Sequence, residues 1–296
     1  MAQKKKVFSG AGVALITPFK DGKIDYKALD VILEQQIAGG TDAIIACGTT
    51  AEAATLNDLE HRQLISHCIE RVNGRIPVIA GTGSNHTDYA IELTRFSKDE
   101  GADGVLLVTP YYNKASQKSL VKHFLSIAEC ADIPNILYNV PSRTGLNISL
   151  GAYQKLAEHP NIVATKEASG NLSAIMELIA ACGDSLNVYS GNDDQIVPLM
   201  SVGAIGVISV LSNVMPKETH EMAKLCLEGN FREAAKLQLH YHSLINGLFM
   251  QVNPIPVKTA MAKMGLCTTE MRMPLCEMDE EDNEKLYALM RQANLI

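Results

Sequence analysis

Apolar positions along the chain follow two alternating periods. Short runs dense in β-branched and aliphatic residues read as buried strands. They lie at Gly12–Pro18, Asp42–Cys47, Pro77–Ala80, Gly104–Thr109, Asn135–Asn139, Ile162–Lys166, Asn187–Ser190 and Gly206–Val210, eight in all. Between them the spacing turns helical. Asp25–Ala38 puts Leu29, Ile32, Leu33 and Ile37 on one face, and Thr87–Glu100 does the same with Ala90, Ile91, Thr94 and Phe96. Asn57–Val72, Gln117–Ala131, Ser149–Glu158, Leu172–Cys182 and Asp193–Val202 fill the remaining gaps. Several helices close on small residues just before the next strand, as in Gly39-Gly40-Thr41-Asp42 and Gly101-Ala102-Asp103-Gly104. Glycine there serves as a C-cap.

Strands this apolar need both faces covered, and strands joined by helices pair in parallel. Eight consecutive units predict an α/β fold, a (β/α)8 TIM barrel over residues 1–228. An open doubly wound sheet is the competing architecture. It usually carries a nucleotide fingerprint after its first strand, and Pro18-Phe19-Lys20-Asp21-Gly22 is not one. After about residue 212 strands stop. Met215–Glu228 completes the barrel, while Phe231–Met250, Ile255–Met264 and Glu280–Ala293 form a C-terminal helical appendage over residues 229–296. The acidic run at 279–282 reads as a helix N-terminus, favoured by the macrodipole.

Composition narrows the function. The 296 residues carry 26 basic and 33 acidic side chains, a net charge of −7, without a basic cluster beyond Lys4-Lys5-Lys6. That argues against nucleic-acid binding, which needs Lys and Arg against phosphates. No apolar stretch reaches membrane-spanning length and the N-terminus lacks a signal-peptide core, so a cytoplasmic protein is expected. Seven scattered cysteines form no Cys-x-x-Cys pair and read as reduced thiols. No His, Asp or Glu set has metal-ligand spacing.

Barrel enzymes place their chemistry at the C-terminal ends of the strands. The polar residues there include Thr49, Thr50, Glu52, Tyr112, Tyr138, Asn139, Arg143, Lys166, Glu167, Ser190 and Asn192. Lys166 ends a strand whose alternate positions face the interior. It is either inward, desolvated and functional, or outward and solvated. A buried amine would lose its proton near neutrality and attack a ketone or aldehyde to form a Schiff base. Tyr138, one strand away, is either a proton shuttle for that imine or a barrel-filling aromatic. Arg143 is either a carboxylate clamp or a surface residue. The Thr hydroxyls after the second strand offer further contacts to a carboxylate or a proton path to Tyr138.

Four separated motifs, Gly48-Thr49-Thr50-x-Glu52, Tyr138-Asn139-Val140-Pro141-x-Arg143-Thr144-Gly145, Lys166-Glu167-Ala168-Ser169-Gly170-Asn171 and Ser190-Gly191-Asn192-Asp193, agree in order and spacing with one family. The chain resembles the dihydrodipicolinate synthases, within the pyruvate-dependent Schiff-base aldolases. The likeness runs nearly end to end. It implies a lyase that condenses pyruvate with L-aspartate 4-semialdehyde on the route to diaminopimelate and lysine, with no cofactor and no metal. It implies Lys166 as the Schiff-base lysine, and Tyr138, Thr49 and Tyr112 as a proton relay with Tyr112 supplied by a neighbouring subunit. It also implies Thr50 as a contact to the pyruvate carboxylate, Arg143 as the receiver of the semialdehyde carboxylate, and Gly191 and Ile208 as backbone contributors around the pyruvyl group. The implied assembly is a homotetramer, or at least the dimer that completes the relay. Sialic acid lyases and keto-deoxy sugar-acid aldolases share the lysine and tyrosine but lack this Arg-Thr-Gly.

Two departures from the family pattern involve three positions. Ala51 stands where glycine is usual, a strain of about 1 kcal/mol if the site requires positive φ. Lysine-inhibited members carry histidine and glutamate where this chain has Asp58 and Tyr89, although His61, Asn85 and Tyr111 match. The resemblance therefore implies weak or absent inhibition by lysine.

Overall fold

The computed structural model describes residues 4–296. Eight parallel strands close into a barrel: β1 (Gly10–Ala14), β2 (Ala43–Ala46), β3 (Val78–Gly81), β4 (Gly104–Val108), β5 (Asn135–Asn139), β6 (Ile162–Glu167), β7 (Asn187–Ser190) and β8 (Gly206–Ser209). Each pairs with its neighbours in chain order, and β8 returns to β1 through Gly10↔Gly206 and Gly12↔Ile208. The helices α1 (Tyr26–Ala38), α2 (Asp58–Val72), α3 (Thr87–Asp99), α4 (Gln117–Glu129), α5 (Leu150–Ala157), α6 (Leu172–Cys182), α7 (Ile196–Ser201) and α8 (Pro216–Leu227) surround it. The predicted (β/α)8 TIM barrel is the observed fold.

Two apolar layers hold it together. Between strands and helices lies the larger core, which takes in Leu29, Leu33, Leu64, Phe124 and Leu156. Inside the barrel, Ile45, Ile79, Leu106, Ile136, Tyr189 and Ile208 fill the lumen, as a barrel of eight strands requires. Phe8 closes the N-terminal mouth. Its ring stacks on Tyr189 at 4.4 Å, and the Tyr189 hydroxyl donates to the Phe8 carbonyl at 2.7 Å. The floor is sealed, so chemistry is confined to the opposite end.

Several elements differ from the sequence reading. The first strand ends at Ala14 rather than Pro18: the Leu15 amide makes the last bond to the neighbouring strand, to the Ile45 carbonyl at 3.1 Å, and the Ile16 amide donates instead to the Asn213 side chain at 3.1 Å. On α1 the buried stripe uses Gln36 in place of Ile37; its amide donates to the Ser212 carbonyl at 2.8 Å and its oxygen accepts from Thr41 at 2.7 Å. On α3, Leu93 and Ser97 are buried while Ile91 and Phe96 are only partly so. The helix expected over 231–250 is two, α9 (Phe231–His240) and α10 (His242–Gly247), separated at Tyr241, whose ψ is 2°. The apolar spacing runs unbroken through Tyr241, so periodicity alone does not show the step. The sequence reading also missed the hairpin Phe19–Lys20/Lys23–Ile24 and the short helix Pro141–Thr144. Two further helices, α11 (Ile255–Lys263) and α12 (Glu280–Gln292), complete the C-terminal region, α12 opening on Asp279 and three acidic residues as expected.

Candidate active site

The outer face of β6 decides which way Lys166 points. Tyr153 on α5 contacts both Thr165, at 3.1 Å, and Glu167, donating to its carboxylate at 2.6 Å. Those two side chains flank Lys166 and face the helices, so the pleat turns Lys166 into the lumen. The same holds on β5: Asn139 donates to Glu167 at 2.8 Å on the outside, which leaves Tyr138 inside. Tyr138 and Lys166 are register partners across the β5–β6 ladder. The Lys166 Nζ lies 4.4 Å from the centroid of the Tyr138 ring, and the lysine is 5% exposed. The solvated-rim alternative for Lys166 is thereby removed.

Burial lowers the Lys166 ammonium to about 8. Asp193 opposes this by attraction, while Arg143 adds to it by repulsion. The Asp193 carboxyl is itself raised, again chiefly by burial. One of its oxygens accepts the amides of Val210 and Leu211, each at 2.9 Å; the other is buried without a partner among the described residues. Burial also raises the Tyr138 phenol, against the Arg143 charge and a hydrogen bond with the Thr49 side chain. A weakly acidic phenol hydrogen-bonded to a hydroxyl, with the lysine amine against its ring, can pass protons in either direction.

Gly191 is glycine for a steric reason. Its amide donates to the Glu167 carbonyl at 2.7 Å, and a Cβ here would stand 3.1 Å from Lys166 Cε and 2.7 Å from Ala168 Cβ. A side chain would collide with Ala168 and crowd the lysine. Ile208, on β8, is fully buried in the lumen layer.

The loop after β2 carries Thr49 and Thr50 in a single 3-10 turn, Thr49–Ala51. Left-handed backbone occurs at Cys47 (φ 57°) and Glu52 (φ 56°), on either side of Ala51 but not at it. The strain expected of Ala51 is therefore absent; its carbonyl accepts the Thr17 hydroxyl at 2.7 Å. Arg143 sits on the short helix Pro141–Thr144, which Pro141 starts and Gly145 (φ 66°) ends. A cavity of about 480 Å³ lies between the Thr49 turn and the Arg143 helix, with Thr49, Tyr138, Val140, Arg143 and Asn253 on its wall.

Tyr112 is not brought to this centre by its own chain. It is 93% exposed, at φ 69°, on the loop after β4. The three residues Thr49, Tyr138 and Lys166 converge; the fourth lies exposed to solvent.

Sequence reasoning missed the ties from the C-terminal region. Asn253 Nδ2 donates to Thr50 Oγ1 at 3.0 Å, and its backbone carbonyl accepts from Arg143 at 3.0 Å. Lys258 forms an ion pair with Glu52 at 2.5 Å and lies 4.2 Å from the centroid of Phe19. These partners are 110 to 206 residues apart, a separation that no local signal spans.

Asp58 pairs with Arg62 at 2.9 Å and hydrogen-bonds Tyr89, so this carboxylate is already engaged. The buried His61 ring contacts the Gly81 carbonyl at 2.9 Å.

Comparison with known proteins places the chain. Residues 7–293 match the model of the dihydrodipicolinate synthetase family. The chain belongs to that family. A 4-hydroxy-tetrahydrodipicolinate synthase of Clostridium tetani is 52% identical over 277 residues, 93% of this chain and 94% of that one. The crystal structure of dihydrodipicolinate synthase from Aquifex aeolicus superposes with a TM-score of 0.96 at 48% identity, covering 97% of this chain and 99% of that one. A chloride-inhibited dihydrodipicolinate synthase from Acinetobacter baumannii, complexed with pyruvate, gives a TM-score of 0.96 at 45% identity, with 97% and 99% covered. Among the described residues no helix is long and apolar enough to cross a membrane.

Proposed function

We infer that this family member is a 4-hydroxy-tetrahydrodipicolinate synthase, a lyase that condenses pyruvate with L-aspartate 4-semialdehyde in diaminopimelate and lysine biosynthesis. The observation that carries the mechanism is the burial of Lys166 against the Tyr138 ring at the open end of the barrel. The neutral amine attacks the pyruvate ketone, and the carbinolamine loses its oxygen as water to give an iminium. Loss of a methyl proton then yields the enamine, whose carbon adds to the aldehyde. Tyr138 and Thr49 carry the protons. In this reading Thr50 holds the pyruvate carboxylate, Gly191 and Ile208 shape the space around the pyruvyl group, and Arg143 takes the semialdehyde carboxylate in a bidentate fork.

Tyr112 joins the relay from a second copy of the chain. Its exposure, on the loop after β4, supports this role. The enzyme is accordingly a homo-oligomer, a tetramer built as a dimer of dimers, acting in the cytoplasm.

The test is reductive trapping. Pyruvate and borohydride should add one reduced pyruvyl group to Lys166, located by peptide mass. An unmodified Lys166 at saturating pyruvate would refute the mechanism. Supplying aspartate semialdehyde or a sugar-acid aldehyde to the pyruvate-loaded enzyme distinguishes the synthase from its aldolase relatives.

A further inference from the structure

Asn253 touches both residues assigned above to substrate carboxylates, and through different atoms. Its backbone carbonyl accepts from Arg143 at 3.0 Å, and its side-chain amide donates to Thr50 at 3.0 Å. It is buried and lines the cavity. It reaches the site from the C-terminal region, 203 residues beyond Thr50.

The direction of the second bond has a chemical consequence. A threonine hydroxyl has one hydrogen to give and two lone pairs to receive. The Asn253 amide fills a lone pair of Thr50 Oγ1. Among the described residues the Thr50 hydrogen goes to no protein acceptor. The pyruvate carboxylate assigned to Thr50 above is the partner left for it, and a hydroxyl hydrogen pointing at a carboxylate makes a strong, charge-assisted bond.

We propose that Asn253 is a positioning residue for pyruvate, fixing the Thr50 hydroxyl as a donor toward the substrate carboxylate. The inference rests on the assignment of Thr50 to that carboxylate. Asn253 needs no contact with pyruvate; it acts through the polarity of its neighbour. Its main chain serves Arg143 independently, so side-chain substitutions act on one substrate and spare the other.

Aspartate is the informative replacement because it keeps the shape and reverses the polarity. In N253D the new carboxylate accepts the Thr50 hydrogen and withdraws it from the substrate. In N253A the hydrogen stays free and only its orientation is lost. A purely structural role would give the opposite order, since alanine leaves the larger void.

The experiment measures the pyruvate concentration that gives half-maximal borohydride trapping on Lys166, without the second substrate. N253D should raise it about ten- to a hundredfold and N253A less than about fivefold, the range expected for a lost hydrogen bond to a charged group. The KM for aspartate semialdehyde should move less than twofold in N253A. Each variant is then repeated in T50V, which has no hydroxyl to orient, and there both effects should fall within about twofold. Either variant alone decides the matter if the other does not fold. An N253D indistinguishable from wild type, an N253A worse than N253D, or an effect that persists in T50V would overturn the proposal, the last by pointing to bare charge repulsion or packing. Absence of trapping in the wild-type enzyme would instead overturn the Schiff-base reading, and this inference with it.

Discussion

Glu52 and Lys258 form an ion pair with both side chains fully buried, Oε1 to Nζ at 2.5 Å. Glu52 ends the turn that carries Thr49 and Thr50, and its second oxygen accepts the Arg272 amide at 3.0 Å. One carboxylate therefore joins the active-site loop to two points of the C-terminal region. Burying two charges is expensive, and the pair returns that cost only while both partners are present. Glu52→Gln and Lys258→Met should each destabilise the protein by about 3–5 kcal/mol, and the double substitution by clearly less than their sum. Chemical denaturation of the four proteins checks this. Additive losses would show that the two charges are not coupled.

In the proposed mechanism, protonation of Lys166 sets the pH dependence of the first step. Its ammonium, lowered to about 8 by burial, is the unreactive form. The rate of pyruvate capture in the free enzyme should rise with pH and level off above about 8. Trapping rates measured from pH 6 to 10 give the curve, and an inflection near the ordinary lysine value of about 10.4 would contradict the desolvated setting. Lys166→Ala should abolish trapping.

Arg143→Ala separates the two substrates. The KM for aspartate semialdehyde should rise at least about tenfold, the expected loss for a bidentate charge-assisted contact. Half-saturation of trapping by pyruvate should change far less. Equal losses for both substrates in steady-state kinetics would show that Arg143 does not select the aldehyde.

Lysine should be a poor inhibitor. Asp58 is already engaged by Arg62 and Tyr89, and Tyr89 offers no carboxylate to an effector's ammonium group. Sub-millimolar lysine should leave initial rates unchanged in a coupled assay; marked inhibition there would contradict this.

His123 supplies an acid-stability test away from the site. Burial lowers its imidazole from 6.5 to about 4. Nδ1 contacts Thr87 at 2.9 Å, and Nε2 has no partner among the described residues. The unfolded chain takes up this proton near 6.5 and the folded one only near 4, so the unfolded state binds more protons in that window. Stability should therefore fall as pH drops from 6.5 toward 4. His123→Asn should flatten that part of a Tm-against-pH profile, and an unchanged slope would exclude the histidine as its source.

The barrel was legible in the sequence because its cause is periodic. Eight apolar runs separated by helical stripes leave few ways to cover both faces of a parallel sheet, and one closed sheet satisfies them all. Candidate chemistry was legible too, since strand ends are identifiable and Lys166, Tyr138 and Arg143 stand at or just beyond them. Local spacing could not say whether Lys166 faces the lumen or the rim, because a shift of one residue exchanges the two faces. Tyr153, bonded to Thr165 and Glu167 on the outer face, settles that only in the folded chain. Nor does spacing reveal that Asn253 reaches Thr50 or that Lys258 neutralises Glu52. Those contacts join residues more than 200 positions apart, and they exist because folding packs the C-terminal region against the loop after β2. Periodicity determined the scaffold and the reactive side chains. Only tertiary packing decided their orientation, their desolvation and the polar ties that hold them, because each depends on groups brought together by folding.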